Sequence, residues 1–446
     1  MIFEFIFGLD VGLAILLIFC ILAACSFEFI NGFHDTANAV ATVIYTHSLK
    51  PRVAVILSGV LNFLGVLTGG IAVAMSIVNL LPMEVLVDQD VHHSVGMVLA
   101  LLLTAIIWNL GTWYLGIPCS SSHTMIGSIL GVGIAYSFLP NTDAAVNWSK
   151  AIDIGLSLLI SPFIGFMLTL LLMFLLKKII KDQKIFQEPS KTHAPPWWIR
   201  TILITTCSGV SYSHGSNDGQ KGVGLMMLIL ISIVPIHFAL QNPSNPSKMK
   251  GQVYTIEQIV NKIDVNALSE KEAKNIDKVK VEIAELNALL LESEKEGKIA
   301  DEKRFAVRRD IMLITHTLGK LLASNELMLN KQDAKNLQEA ISEKGLRSNT
   351  DYAPSWVLLI ISISLGIGTT VGWKRIVETI GEKIGKTHLT YAQGASAEVV
   401  AMSTIGLANT FGLPVSTTQV LSSGIAGTMV ASDGLKNLQP GTIKSM

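Results

Sequence analysis

Two ten-residue stretches far apart in the chain repeat the same chemistry: Asn31-Gly32-Phe33-His34-Asp35-Thr36-Ala37-Asn38-Ala39-Val40 and His214-Gly215-Ser216-Asn217-Asp218-Gly219-Gln220-Lys221-Gly222-Val223. Each adjoins a strongly apolar run. Each sets an aspartate, Asp35 or Asp218, where a lipid-facing helix tolerates charge only if it is paired or protonated. The glycines predict that both helices break, and a broken membrane helix must satisfy its freed backbone groups on protein, water or ligand. Breaks in matching positions of two halves point to a transporter's binding site.

A second echo supplies complementary groups. Gly116-Ile117-Pro118-Cys119-Ser120-Ser121-Ser122-His123 matches Gly412-Leu413-Pro414-Val415-Ser416-Thr417-Thr418-Gln419. Each proline ends an incoming helix, and the hydroxyl residues after it cap the next. A helix N-terminus presents unpaired N–H donors and partial positive charge, worth about 0.3 to 2 kcal/mol toward an anion. Ser120, Ser121, Ser122 and Thr124 facing Ser416, Thr417 and Thr418 would hold an oxyanion without any arginine. A lone hydroxyl cluster usually glues transmembrane helices together. Duplication beside Gly-x-Pro favours ligand contact instead.

The acids bear on coupling and selectivity. Asn38 follows Asp35, and Lys221 follows Asp218, by three residues, so each pair can share a helical face. Asp35 with Asn38 can coordinate a cation or hold a proton. In the second stretch the Lys221 ammonium takes volume and charge that a bound sodium ion would need, which favours coupling to protons, or co-transport with a metal. The competing reading of Lys221 is snorkelling to the interface. Near neutral pH phosphate keeps a hydroxyl that can donate to an aspartate, whereas sulfate has none and meets repulsion. Asn31, His34, His214, Asn217 and Gln220 lie beside the expected breaks and can polarise water, carry protons or hold the turn. His123 is a weaker candidate, since its counterpart is Gln419, and Glu28 and Glu398 in or beside apolar text are further proton or cation sites.

The elements that must position these residues are membrane helices. Half the residues are hydrophobic, 15% are charged and the mean hydropathy is +0.49, which marks an integral membrane protein. A net charge of zero says nothing about partners. Apolar stretches at 11–29, 53–81, 95–115, 125–139, 152–176, 199–212, 222–240, 356–373, 399–413 and 420–430 include several long enough to span, and the shorter ones suit half-helices or re-entrant pieces. The first is no cleavable signal, because residues 1–10 carry Glu4 and Asp10 and no base. Cys20, Cys25, Cys119 and Cys207 read as small core residues rather than disulfide partners.

The second pair of echoes is offset further than the first, by about the length of a polar, Lys/Glu-rich segment at 241–353. Residues 281–290 within it read as an amphipathic helix. The expected architecture is all-α: two inverted-topology repeats with broken or re-entrant helices, and a soluble helical insert in the second. Residues 1–196 form the first repeat with a basic cytoplasmic linker, 197–240 and 354–446 the second, and 241–353 the insert. Lys50, Arg52 and the lysines at 177, 178, 181, 184 and 191 mark inside loops. Segment 82–94 has acids and no lysine or arginine, so it belongs outside, while its counterpart with Lys374, Arg375, Lys383 and Lys386 belongs inside. Equivalent loops on opposite sides make the halves inverted, with the amino terminus and the insert facing outward. The counterpart of stretch 152–176 would begin beyond Met446, so a final helix is expected to be missing, either because the protein dispenses with it or, the favoured reading, through truncation.

Residues 32–39 and 214–222, with the Pro-x-Ser-Ser-Ser-His and Pro-Val-Ser-Thr-Thr elements, resemble the paired signatures of the inorganic phosphate transporter (PiT) family, in particular its bacterial low-affinity proton symporters. The resemblance covers nearly all of the chain outside the insert. It implies a multi-pass protein of the bacterial cytoplasmic (inner) membrane that imports phosphate with protons. The phosphate would travel as a neutral complex with a divalent metal, magnesium or similar, and arsenate would enter as a mimic. It also implies that Asp35, Asn38, Asp218 and Lys221 serve coupling or substrate, and that residues 120–122 and 416–418 cradle phosphate. Gln220-Lys221 departs from the Ala-Asn of sodium-coupled relatives. No cofactor, enzymatic activity or nucleic-acid partner is expected, and homo-oligomerisation is left open. The runner-up readings are a transporter of sulfate or another oxyanion, a sodium-coupled phosphate carrier and a passive anion channel. An intramembrane serine hydrolase built on Ser120 and His123 is disfavoured, because a nucleophile is needed once and the second half replaces the histidine.

Overall fold

The computed structural model describes residues 8–81, 91–117, 119–138, 146–190, 193–324, 326–371 and 388–439, the side chains of 36–38 and 91–94 excepted. Among them every regular element is helical and no strand occurs. The chain divides into two compact units, one comprising Met1–Ile229 with Ala353–Met446 and the other Leu230–Tyr352.

In the first unit the helices are α1 (Val11–Tyr45), α2 (Pro51–Thr68), α3 (Ala72–Val78), α4 (Val91–Tyr114), α5 (Ser121–Tyr136), α6 (Trp148–Ile179), α7 (Trp197–His214) and most of α8 (Gln220–Ile233), whose last turn is counted with the second unit. Three more follow the second unit: α13 (Ser355–Thr369), α14 (Tyr391–Thr410) and α15 (Thr417–Asp433). Val11–Tyr45, Pro51–Thr68, Val95–Tyr114 and Trp148–Ile179 are long and apolar enough to cross a membrane. The chain is a membrane protein, and leucines and isoleucines such as Ile15, Ile107 and Leu159 on the outer helix faces are exposed for lipid to cover. All four cysteines are free.

The two expected breaks are resolved differently. Residues 31–40 stay inside the unbroken helix α1. Gly32 there is a contact point: a Cβ on it would lie 2.5 Å from the Leu365 carbonyl oxygen, so glycine is what lets α13 pack against α1. The second stretch is a π-helical turn, Gly215–Gly219, that joins α7 to α8. The turn adds a bulge to a continuing helix, a form frequent at functional sites. Gly215 is again a close approach, since its Cβ would meet the Asn62 carbonyl oxygen of α2 at 2.2 Å. True interruptions come at the hydroxyl motifs. Gly116 and Gly412 both take left-handed backbone, at φ +68° and +63°, and the residues that cap α5 and α15, Ser120 and Ser416, are extended.

The second unit holds α9 (Pro246–Val260), α10 (Glu270–Glu296), α11 (Arg304–Ala323) and α12 (Lys331–Ala340). Its own core is aliphatic, with Ile256, Ile283, Leu286, Leu290, Ile311 and Leu318 buried, and it takes in Ala239 and Leu240. Helix α10 starts with a capping box in which Ser269 and Glu272 satisfy each other's backbone N–H groups. Arg308 is wholly buried and donates to the carbonyls of Ala239 and Thr350. Burial, with Glu282 and Glu285 close by, pushes the neighbouring Asp310 carboxyl up to about 6 against the pull of Arg309.

Candidate functional site

Asp35 on α1 and Asp218 in the π turn meet in the interior of the first unit, each with no more than 2% of its surface exposed. His214 lies between them, its Nε2 3.8 Å from Asp35 Oδ2 and 3.7 Å from Asp218 Oδ2. The hydroxyl motifs of both halves donate into the same carboxylates. Ser121 donates to Asp35 Oδ2 at 3.2 Å, Thr418 to Asp35 Oδ1 at 2.6 Å, and Thr417 to Asp218 Oδ2 at 3.3 Å. Four buried segments distant in sequence thus converge on two acids.

Lys221 completes the cluster. Its ammonium, on a side chain 3% exposed, donates to Asp218 Oδ1 at 2.7 Å, Ser122 Oγ at 2.5 Å and the Val415 carbonyl at 2.8 Å. Those three acceptors use all three of its protons, so Lys221 points into the site and does not snorkel. Ser122 Oγ in turn donates to the Val415 carbonyl at 2.8 Å.

For neutral rings, the hydrogen-bond chains fix which imidazole nitrogens are bare. Thr369 Oγ1 donates to the Leu365 carbonyl and therefore accepts from Asn62 Nδ2 at 3.0 Å. Asn62 Oδ1 then faces His214 Nδ1 at 2.8 Å, so that nitrogen is the donor and the neutral ring turns the lone pair of Nε2 toward the two aspartates. His34 repeats the arrangement. Thr112 Oγ1 donates to the carbonyls of Trp108 and Asn109 and accepts from His34 Nε2 at 3.3 Å, which leaves His34 Nδ1 bare, 3.6 Å from Asp35 Oδ1. Neither bare nitrogen has a hydrogen-bond partner among the described residues. Lone pairs and carboxylate oxygens facing one another call for a positive charge between them, either a proton or a metal ion. Asp35, His214 and Asp218 offer three ligand atoms within 4.8 Å of one another, a set that suits a divalent ion.

Other residues singled out in the sequence serve the frame. Ser120 and Ser416 cap α5 and α15, each Oγ accepting at 3.2 Å from the N–H three residues on. Asn217 grips the loop before α15, donating to the Leu413 carbonyl at 3.1 Å and accepting from the Val415 N–H at 3.2 Å. Gln220 donates to the Val66 carbonyl. Asn31 donates to the buried Glu28, whose Oε1 would collide with any side chain at Gly222. Thr124 bonds back to the Ser120 carbonyl, away from the acids. Glu398 is buried apart from the cluster and accepts from Thr206. The Asn38 side chain lies outside the described residues. Cavities of about 730 and 960 Å³ flank α5, both lined by His123 and Gln419, and neither reaches Asp35 or Asp218. Both acids are buried in this conformation.

The residues that orient the histidines, Asn62, Thr112 and Thr369, were not anticipated from sequence. Asn62 carried a signal, as an amide inside the apolar stretch 53–81.

The same residues lie within a region shared with known proteins. The low-affinity inorganic phosphate transporter of Buchnera aphidicola (strain APS) is 40% identical over 470 residues, covering 98% of this chain and 93% of the relative. PitA of Escherichia coli K12, bearing the same description, is 39% identical over 473 residues, with 98% and 94% covered. A solved structure described as the sodium-dependent phosphate transporter shares the fold at TM-score 0.53 and 20% identity, over 97% of this chain and 93% of that one. Residues 31–446, which hold both acid stretches and both hydroxyl motifs, match the phosphate transporter family (PHO4), and the chain belongs to that family.

Proposed function

We propose that the chain imports inorganic phosphate across the bacterial cytoplasmic membrane as a multi-pass, proton-coupled carrier built from two inverted repeats. The observation that carries this reading is the junction of Asp35, His214 and Asp218, with hydroxyls from both caps donating into the two acids. Here the carboxylates occupy the donors that an oxyanion would take. When phosphate enters, its oxygens replace them on Ser121, Thr417 and Thr418, and its remaining hydroxyl donates to Asp35 or Asp218. Sulfate can accept from the same donors but has no proton for the acids, so it meets uncompensated charge.

A proton arriving at His214 Nε2 turns a bare lone pair into an imidazolium facing Asp35 and Asp218. That charge neutralises the acids, frees the hydroxyls for substrate and leaves with it on the other side. Asp35, His214 and Asp218 can equally hold a magnesium-like ion carried as cargo in a neutral metal–phosphate complex. Lys221 occupies the corner of the site beside Asp218 with a fixed positive charge, which disfavours a sodium ion there. The two halves rocking about this buried cluster give alternating access.

The test is uptake of labelled phosphate into proteoliposomes under an imposed proton gradient, with sodium replaced by potassium and with or without magnesium. The expected result is sodium-independent uptake that the gradient accelerates and arsenate, but not sulfate, inhibits. Uptake that requires sodium, or that sulfate inhibits as strongly as arsenate, would overturn the proposal.

A further inference from the structure

The helical unit carries a second acidic cluster, remote in sequence from the transport residues. Glu282 and Glu285 stand about one turn apart on α10, the spacing that puts both on one face. Asp310 comes from α11, which packs against α10. One carboxylate oxygen from each lies within 4.8 Å of the other two. Oxygens bound to one divalent ion at about 2.0–2.6 Å necessarily lie that close to each other.

Two further observations separate this cluster from an ordinary solvated face. Asp310 has no accessible surface, and its Oδ2 is buried without a hydrogen-bond partner among the described residues. Glu282 Oε2 is buried in the same condition. A carboxylate oxygen withdrawn from water and left unpaired is costly, and a bound cation is the group that satisfies it. Arg309 reaches Asp310 Oδ1 through Nε at 3.0 Å and Nη2 at 2.9 Å, and stands 3.6 Å from Glu285 Oε2. One guanidinium against three carboxylates leaves an excess equal to the charge of one divalent ion. The Arg309 side chain is 47% exposed, so it can turn outward when another cation arrives.

We propose that Glu282, Glu285 and Asp310 form a binding site for a hard divalent cation of the magnesium or calcium class, with Arg309 holding the acids in the ion-free state. The all-oxygen donor set selects such ions over softer metals, and water fills the remaining coordination positions. Because one helix supplies two ligands and the other supplies one, the ion fastens α10 to α11.

Manganese(II) serves as the probe, its free concentration followed by electron paramagnetic resonance during titration of the full chain in detergent. The double variant Lys221→Met with Asp218→Asn removes an acid of the transport cluster together with its buried partner charge, so that binding there is not counted. In that background the chain should retain one class of site, from which magnesium or calcium displaces manganese. Adding Glu282→Gln or Asp310→Asn should weaken that site by about tenfold or more. Glu285→Gln, at an exposed position that packing does not need, should weaken it as well, and Arg309→Gln should tighten it. Circular dichroism checks that each variant is folded. If Asp310→Asn fails that check, Glu285→Gln and Arg309→Gln decide the matter. Manganese affinity unchanged in both of these variants, or no binding at all in the Lys221→Met/Asp218→Asn background, would overturn the proposal.

Discussion

Lys221 and Asp218 hold opposite charges 2.7 Å apart in the protein interior, and neither can be removed singly without cost. Lys221→Met leaves a buried, uncompensated carboxylate, which costs about 3–5 kcal/mol. A thermal-shift measurement should show a large fall in melting temperature together with loss of uptake. The double variant Lys221→Met with Asp218→Asn should recover most of the stability and none of the transport. His214→Gln separates proton carriage from packing, because glutamine can still meet Asn62 but cannot take a proton. It should fold like the parent and transport phosphate without acceleration by a proton gradient. The acids and hydroxyls were legible in sequence because charge and hydroxyl clusters in apolar text demand a reason. The lone-pair geometry was not legible, since Asn62, Thr369 and Thr112 acquire their roles only when helices far apart in the chain meet.

Glycine at the element scale has two uses that look alike in sequence. Gly32 and Gly215 read as helix breakers, yet α1 runs straight through the first and a π turn carries the helix through the second. Both positions bring a backbone within reach of a neighbouring helix, α13 in one case and α2 in the other. A single chain does not distinguish a broken helix from a tight crossing, because the absence of a side chain permits both. Gly32→Ala should therefore lower stability by about 1–3 kcal/mol through overpacking against α13, while the helix content seen by circular dichroism stays unchanged. The proline and hydroxyl motifs were readable, since a serine after an interruption caps the next helix whatever the tertiary context. Ser416→Ala removes one such cap and should cost about 1 kcal/mol, read as a modest drop in melting temperature.

Across the whole molecule the cluster draws on α1, the end of α7, the π turn, the starts of α8, α5 and α15, and the loop before α15, so no single segment assembles it alone. The proposed topology places Lys50 and Lys181 on the cytoplasmic side and the helical insert on the other. Single cysteines at Lys50, Lys181 and Lys271 in a cysteine-free chain should react with an impermeant thiol reagent accordingly. The first two should label only after the membrane is opened, and the third should label on intact cells. Labelling of all three from one side would refute the inverted arrangement. The central claim is that phosphate and protons cross together through the Asp35–His214–Asp218 cluster. The most direct measurement is the pH inside sodium-free proteoliposomes, followed with an entrapped dye while phosphate or sulfate is added outside. Luminal acidification on adding phosphate, absent with sulfate and absent in His214→Gln, is the predicted result. Phosphate entry with no change in luminal pH, or entry that begins only when sodium is supplied, would contradict it.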